Sequence, residues 1–99
     1  MFAVIFRARI KQLDEEYAAT AEAMRQRAMA EFGCVEFAAW TEGDSEVAIS
    51  YWNSEEDILA WRRDPAHKQA QQLGAERWYS AYSVEVVKVT RRYEKSLHQ

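Results

Sequence analysis

The sequence predicts a single α+β domain of the ferredoxin-like type, with the order β-α-β-β-α-β and a four-stranded antiparallel sheet. Its 99 residues fit one hydrophobic core. Alternating apolar runs lie at both ends of the chain, and two more form a hairpin near the middle. One helix-forming segment lies between the first strand and the hairpin, and another lies between the hairpin and the last strand. Two crossovers around a hairpin place both helices on one face of such a sheet.

The first strand is predicted at residues 2–10, where apolar side chains occupy every second position. The segment from Asp14 to Phe32 is rich in Ala, Glu, Met and Arg, which favour helix. Its larger apolar residues and two alanines recur on one helical stripe, which consists of Tyr17, Ala21, Met24, Ala28 and Phe32. Gly33 is expected to end this helix, because glycine adopts the left-handed backbone conformation without steric cost.

The central hairpin is predicted from residues 34–41 and 46–52, which are rich in β-branched and aromatic residues and flank a loop containing Gly43. Ser54 is expected to cap the next helix, since three acidic residues follow it in the first turn. Pro65 interrupts or restarts that helix.

A second helical stretch is expected from Ala66 to about Trp78, and a final strand from Tyr82 to Thr90. The domain is expected to cover residues 1–93, and residues 94–99 form a charged tail. Residues on the sheet face opposite the helices are partly apolar, including Ile5 and Val87. An exposed apolar face favours a partner, and a homodimer with two-fold symmetry is the most common solution.

Composition excludes several classes of function. A net charge of −3 argues against nucleic acid as a partner. No run reaches the ~20 apolar residues of a membrane span, so no membrane association and a cytoplasmic location are expected. Cys34 is the sole cysteine and there are two histidines, which leaves no disulfide framework and no multi-histidine metal site within the chain. Glycine-rich phosphate loops, Cys-x-x-Cys and His-Glu-x-x-His motifs are absent, so neither a metal nor a cofactor is expected.

The stretch 51–68, YWNSEEDILAWRRDPAHK, carries a strand ending in two aromatics, a Ser-Glu-Glu helix start, a tryptophan and an Asp-Pro-x-His motif. This pattern resembles the antibiotic biosynthesis monooxygenase family. The resemblance extends to the opening strand, the Gly33 turn and the closing strand. It implies a dimeric α+β barrel with one pocket per subunit between sheet and helices. It also implies oxygenation of phenol- or quinol-like aromatics without metal or flavin.

Within this resemblance, His67 is the candidate catalytic base, because its ordinary pKa near 6.5 suits proton transfer at neutral pH. Candidates for lining the pocket are Phe6, Phe37, Tyr51, Trp61 and Gln71. A purely structural role competes for each of them. Trp61 and Phe37 also fit a hydrophobic core, and His67 also fits a helix start at the surface. Tyr51 and Trp52 point to opposite sides of their strand, so at most one can enter a given cavity.

A non-catalytic protein that binds a small ligand or haem is the alternative function. Haem-degrading members of the superfamily use an asparagine on the first strand, a tryptophan, and a haem-ligating histidine ten residues after that tryptophan. Here the corresponding residues are Phe6, Trp61 and Gln71, whereas His67 follows Trp61 by six residues. Because the histidine is out of register, haem degradation is not expected.

Overall fold

The computed structural model describes residues 1–97 and has four strands, three α-helices and one π-helical turn. In chain order these are β1 (Phe2–Ile10), α1 (Glu15–Glu31), β2 (Cys34–Glu42), β3 (Ser45–Trp52), α2 (Glu55–Arg63), α3 (Pro65–Leu73), the turn Gly74–Trp78, and β4 (Tyr79–Lys88). The sheet order is β2-β3-β1-β4, and all paired strands are antiparallel. This confirms the ferredoxin-like fold class. His98 and Gln99, which end the predicted tail, lie outside the described residues.

Side-chain caps define where the helices begin. The Asp14 carboxylate accepts a hydrogen bond from the Glu16 amide at 3.0 Å, and Ser54 Oγ accepts one from the Asp57 amide at 3.2 Å. Pro65 is the first residue of α3, where its missing N–H has no helical partner to lose. Gly33 ends α1 with φ +83. The predicted roles of Ser54, Pro65 and Gly33 are therefore confirmed.

The last third of the chain departs from the expected boundaries. The α-helix ends at Leu73 instead of continuing to Trp78, because the next turn widens into a π-helix. The strand begins at Tyr79, three residues before the expected start, and pairs Tyr79 with Ile10 across a register shift. Gly74 permits this arrangement. A Cβ atom there would lie 2.9 Å from Cε2 of the Tyr79 ring, so a larger residue would displace that ring.

Strand alternation divides the sheet into an inner face, which meets the helices, and an outer face. The hydrophobic core lies at one end of the inner face, where Trp52 is fully buried. The buried residues packed around Trp52 are Ala28, Cys34, Ile58 and Trp61. No helix among residues 1–97 is long and apolar enough to cross a membrane.

The outer face carries an apolar patch. This face consists of the odd-numbered residues of β1 and β3, the odd-numbered residues of 81–87 in β4 and the even-numbered residues of 36–42 in β2, because register shifts place Tyr79 and Cys34 on the inner face. Ile49 lies at its centre, paired with Ile5 on β1 and Ala38 on β2. Trp40 extends the patch and is 58% exposed. Arg92 covers one end, because its guanidinium bonds the Glu36 carboxylate and lies 5.1 Å from the centroid of the Tyr51 ring.

Candidate functional site

A cavity of about 630 Å³ lies between the inner face of the sheet and the helices. Its volume is in the range typical of small-molecule sites. The cavity forms because α1 directs small or flexible side chains, including Ala21 and Met24, towards the sheet. Phe6 of β1 and Phe37 of β2 form part of the opposite wall. Apolar walls of this kind suit an aromatic ligand.

Five of the six predicted site residues line this cavity: Phe6, Phe37, Trp61, His67 and Gln71. Tyr51 does not, and its expected place in the pocket is wrong. On β3, Ser50 faces the cavity and Trp52 enters the core, so the intervening Tyr51 must point to the outer face. There its ring meets Arg92 instead.

His67 is held against Trp61 by two contacts. The two rings stack with their centroids 4.2 Å apart and an interplanar angle of 15°. Nδ1 of His67 lies 3.1 Å from the backbone oxygen of Trp61. Because a carbonyl oxygen can only accept, Nδ1 must carry the proton and donate it. In the neutral ring, this tautomer leaves the Nε2 lone pair free to accept a proton.

The surroundings of His67 favour its neutral form. Burial lowers the pKa of His67 below its ordinary value, and the nearby Arg62 guanidinium lowers it further, although the Trp61 carbonyl and Asp64 oppose the shift. Arg62 and Lys68 also line the cavity. An anion formed beside His67 would therefore lie near two cationic side chains.

An ion pair fixes the turn that presents His67. Asp64 is buried and accepts two hydrogen bonds from the Arg27 guanidinium, at 2.7 and 3.0 Å. The same carboxylate caps α3 by accepting from the His67 amide at 3.0 Å. The Arg27 hydrogen bond holds the pKa of Asp64 below its usual range. Asp64 thus joins α1 to the start of α3 and sets the position of His67.

The opposite end of the cavity is enclosed by a cluster of aromatic rings. Phe6 lies between Tyr79 and Tyr82, with centroid distances of 5.5 and 5.7 Å. Tyr17 contacts Trp78 edge-on at 5.3 Å, and Trp78 Nε1 donates to the Asp14 carboxylate at 2.9 Å. The Phe6–Tyr79 pair is tilted, the Phe6–Tyr82 pair is stacked and the Tyr17–Trp78 pair is edge-on. Together the rings form a wall that can hold the flat face of a ligand.

Glu46 is a cavity residue that the sequence analysis missed. It is 5% exposed, lines the cavity, and accepts a hydrogen bond from the Tyr79 hydroxyl at 2.8 Å. Burial raises the pKa of Glu46, and burial also raises the pKa of Tyr79, so the phenol keeps its proton. The sequence did contain a signal for this residue, because Glu46 alternates with Ala48, Ser50 and Trp52 on the inward side of β3. A charged residue in such a series is unusual.

Solved structures share this fold. Rv0793 from Mycobacterium tuberculosis superimposes with a TM-score of 0.80 at 20% identity, covering 94% of this chain and 98% of that one. SnoaB from Streptomyces nogalater, described as a cofactor-independent oxygenase, also gives a TM-score of 0.80. It is 11% identical, and the match covers 95% of this chain and 97% of SnoaB. These likenesses establish the fold.

Sequence comparisons identify the family. The uncharacterised protein YqjZ of Bacillus subtilis (strain 168) is 35% identical over 92 residues, which cover 92% of this chain and 81% of YqjZ. The family model described as antibiotic biosynthesis monooxygenase matches residues 1–73. The matched segment includes β1, Phe37, Trp61 and His67. This chain belongs to the antibiotic biosynthesis monooxygenase family.

Proposed function

We propose that this protein is a cofactor-independent monooxygenase that oxidises a phenol- or quinol-like aromatic, with His67 as the general base. One observation carries the proposal: a histidine whose Nδ1 lies 3.1 Å from the Trp61 carbonyl oxygen, and whose tautomer is set by that contact, borders an aromatic cavity. Family membership supports the reaction class. The substrate class rests on the stacked rings and apolar walls of the cavity.

The proposed chemistry needs a base and a dry, oriented site. His67 Nε2 removes the phenol proton, and the electron-rich phenolate passes one electron to O₂, which becomes superoxide. The two radicals combine to form a new carbon–oxygen bond. Protonated His67 returns its proton to the resulting peroxide. Loss of the hydrogen on the oxygenated ring carbon as a proton then breaks the O–O bond, so that one oxygen stays on the ring as a quinone carbonyl and the other leaves as water. Substrate and O₂ thus supply every electron, and the protein supplies orientation and proton transfer.

Arg62 and Lys68 are the side chains that would stabilise negative charge in this scheme. Both line the cavity, and Arg62 is close enough to His67 to lower its pKa. Deprotonation creates a phenolate, and electron transfer then moves negative charge to oxygen. Arginine and lysine side chains placed where negative charge develops can stabilise that charge in the transition state. We infer that these two side chains stabilise the phenolate and the reduced oxygen.

We expect O₂ consumption when the protein, verified free of metal and flavin, is mixed with dihydroxynaphthalenes or anthrones. The cavity should concentrate and deprotonate such compounds, so turnover should exceed the rate in buffer. An oxygen electrode measures the rate, and mass spectrometry with ¹⁸O₂ should show one labelled atom in the product. Heat-denatured protein is the control. Tight binding of these aromatics without any O₂ uptake would contradict the enzymatic proposal and support the non-catalytic alternative.

We further propose that the protein is a homodimer assembled through the outer face of the sheet. On this face Trp40 is exposed, and the neighbouring Ile5, Val47 and Ile49 are half-buried. Each 100 Å² of apolar surface that a second copy covers contributes roughly 2.5 kcal/mol before the costs of association. Paired outer faces would leave each cavity on the far side of its sheet, open to ligand.

Sedimentation equilibrium at micromolar concentration is expected to give about twice the 11.6 kDa chain mass. Ile49→Lys should convert the dimer to monomer, because it places a charge at the centre of the apolar patch. The matched control is Ser45→Lys. Ser45 lies on the same strand and face, but its partners on the neighbouring strands, Arg9 and Glu42, are polar. A wild-type monomer, or an Ile49→Lys variant that is still dimeric, would refute this interface.

A further inference from the structure

The cavity has two chemically different ends, and the mechanism above uses only one. Asp64 at the start of α3 is tied to Arg27, whereas Arg77 after its end is tied to Asp14 at the other end of α1. The helices α1 and α3 are therefore antiparallel, and Trp78 lies far from His67. Roughly 15 Å of helix axis separates them at about 1.5 Å per residue.

Glu46 and Tyr79 form the polar group at the second end. Tyr79 follows Trp78 directly and donates its hydroxyl hydrogen bond to Oε2 of Glu46. The structure gives Oε1 of Glu46 no hydrogen-bond partner among residues 1–97. No fully buried side-chain oxygen or nitrogen in that range lacks a partner, so Oε1 is reached from the cavity. A free carboxylate oxygen is a strong acceptor.

The cationic and the acidic side chains that line the cavity lie at different ends of it. Arg62 and Lys68 lie on the helical side near His67, and Glu46 is the acidic side chain among the lining residues of the described chain. Burial makes unpaired charge costly at the Glu46 end. A ligand that places a donor there restores a hydrogen bond to the carboxylate. One that places a carboxylate there puts two anions together in a poorly hydrated site.

We propose that Glu46 determines specificity: the cavity accepts aromatics with an acidic phenol at the His67 end and a neutral or cationic hydrogen-bond donor at the Glu46 end, and it disfavours a carboxylate at the Glu46 end. This inference rests on the proposed aromatic binding and adds the chemistry of the second end. Tyr79 is the positioning residue, since its hydroxyl fixes one carboxylate oxygen and directs the other towards the cavity. Gly74 permits the Tyr79 ring to lie where it does.

Isothermal titration calorimetry at pH 8, under argon to prevent turnover, tests this with three 2-naphthols that carry an aminomethyl, hydroxymethyl or carboxylate group at carbon 6. Wild-type protein should bind the aminomethyl and hydroxymethyl compounds about ten- to hundredfold more tightly than the carboxylate, as expected for a hydrogen bond to a charged group. Glu46→Gln keeps the shape and the Tyr79 contact but removes the charge. It should bind the carboxylate at least about tenfold more tightly than wild type does.

Glu42→Gln, at the exposed end of β2, is the matched control and should keep the wild-type preference. Equal wild-type affinity for the carboxylate and aminomethyl compounds would overturn the role of Glu46 while leaving the aromatic cavity intact. So would a Glu46→Gln variant, shown by circular dichroism to be folded, with unchanged preference. If wild-type protein bound none of the three naphthols, the proposed aromatic site would fall together with this inference.

Discussion

Replacing His67 with asparagine is expected to lower the rate of phenol oxygenation by about 10²–10⁴-fold, the usual cost of losing a general base. The asparagine amide can still donate to the Trp61 carbonyl, as Nδ1 of the histidine does. It has no group that takes a proton at the position of Nε2. Ligand affinity should change much less than the rate, because the apolar walls of the cavity are untouched.

The pH dependence gives this prediction a second measurement. Burial lowers the pKa of His67, and the neutral form is the active base. The rate constant kcat/KM of the wild type should therefore rise as pH increases through this lowered pKa, with the inflection below about pH 6.5, and then level off. The inflection should vanish in His67→Asn. A variant with the wild-type rate and pH profile would remove His67 from the mechanism and leave the reaction class open.

Trp52→Ala is expected to have the largest effect on stability, about 3–5 kcal/mol of unfolding free energy. Trp52 is fully buried at the centre of the core, and its Nε1 donates to Ser50 Oγ at 2.9 Å. The truncation leaves an unfilled space between the sheet and α2. It also leaves Ser50, a cavity residue, without this partner.

Urea unfolding followed by circular dichroism measures this loss, with all proteins at one concentration because dimerisation would contribute to apparent stability. Leu59→Ala is the control on the neighbouring helix α2. Leu59 is well exposed, so its truncation should cost much less than that of Trp52. If the two variants lost similar free energy, the placement of the core around Trp52 would be wrong.

Local signals in the sequence were sufficient for the fold class and for most element boundaries. Ser54, Pro65 and Gly33 act through their own backbone and nearest neighbours, so their effect can be read without tertiary information. Strand alternation likewise separates the inner from the outer face. The wide turn at Gly74 was not predictable in this way. It depends on how the Tyr79 ring packs against the backbone and on the pairing of Tyr79 with Ile10.

The sequence by itself determined the order of strands and helices, the apolar outer face and the family motif that contains Trp61 and His67. Tertiary structure alone decided which of these residues share a cavity. His67 gained a defined tautomer only through a contact with the Trp61 backbone. Glu46 acquired its partner from Tyr79, 33 positions away along the chain. Such contacts depend on packing between distant segments, and periodicity along one strand or helix carries no information about them.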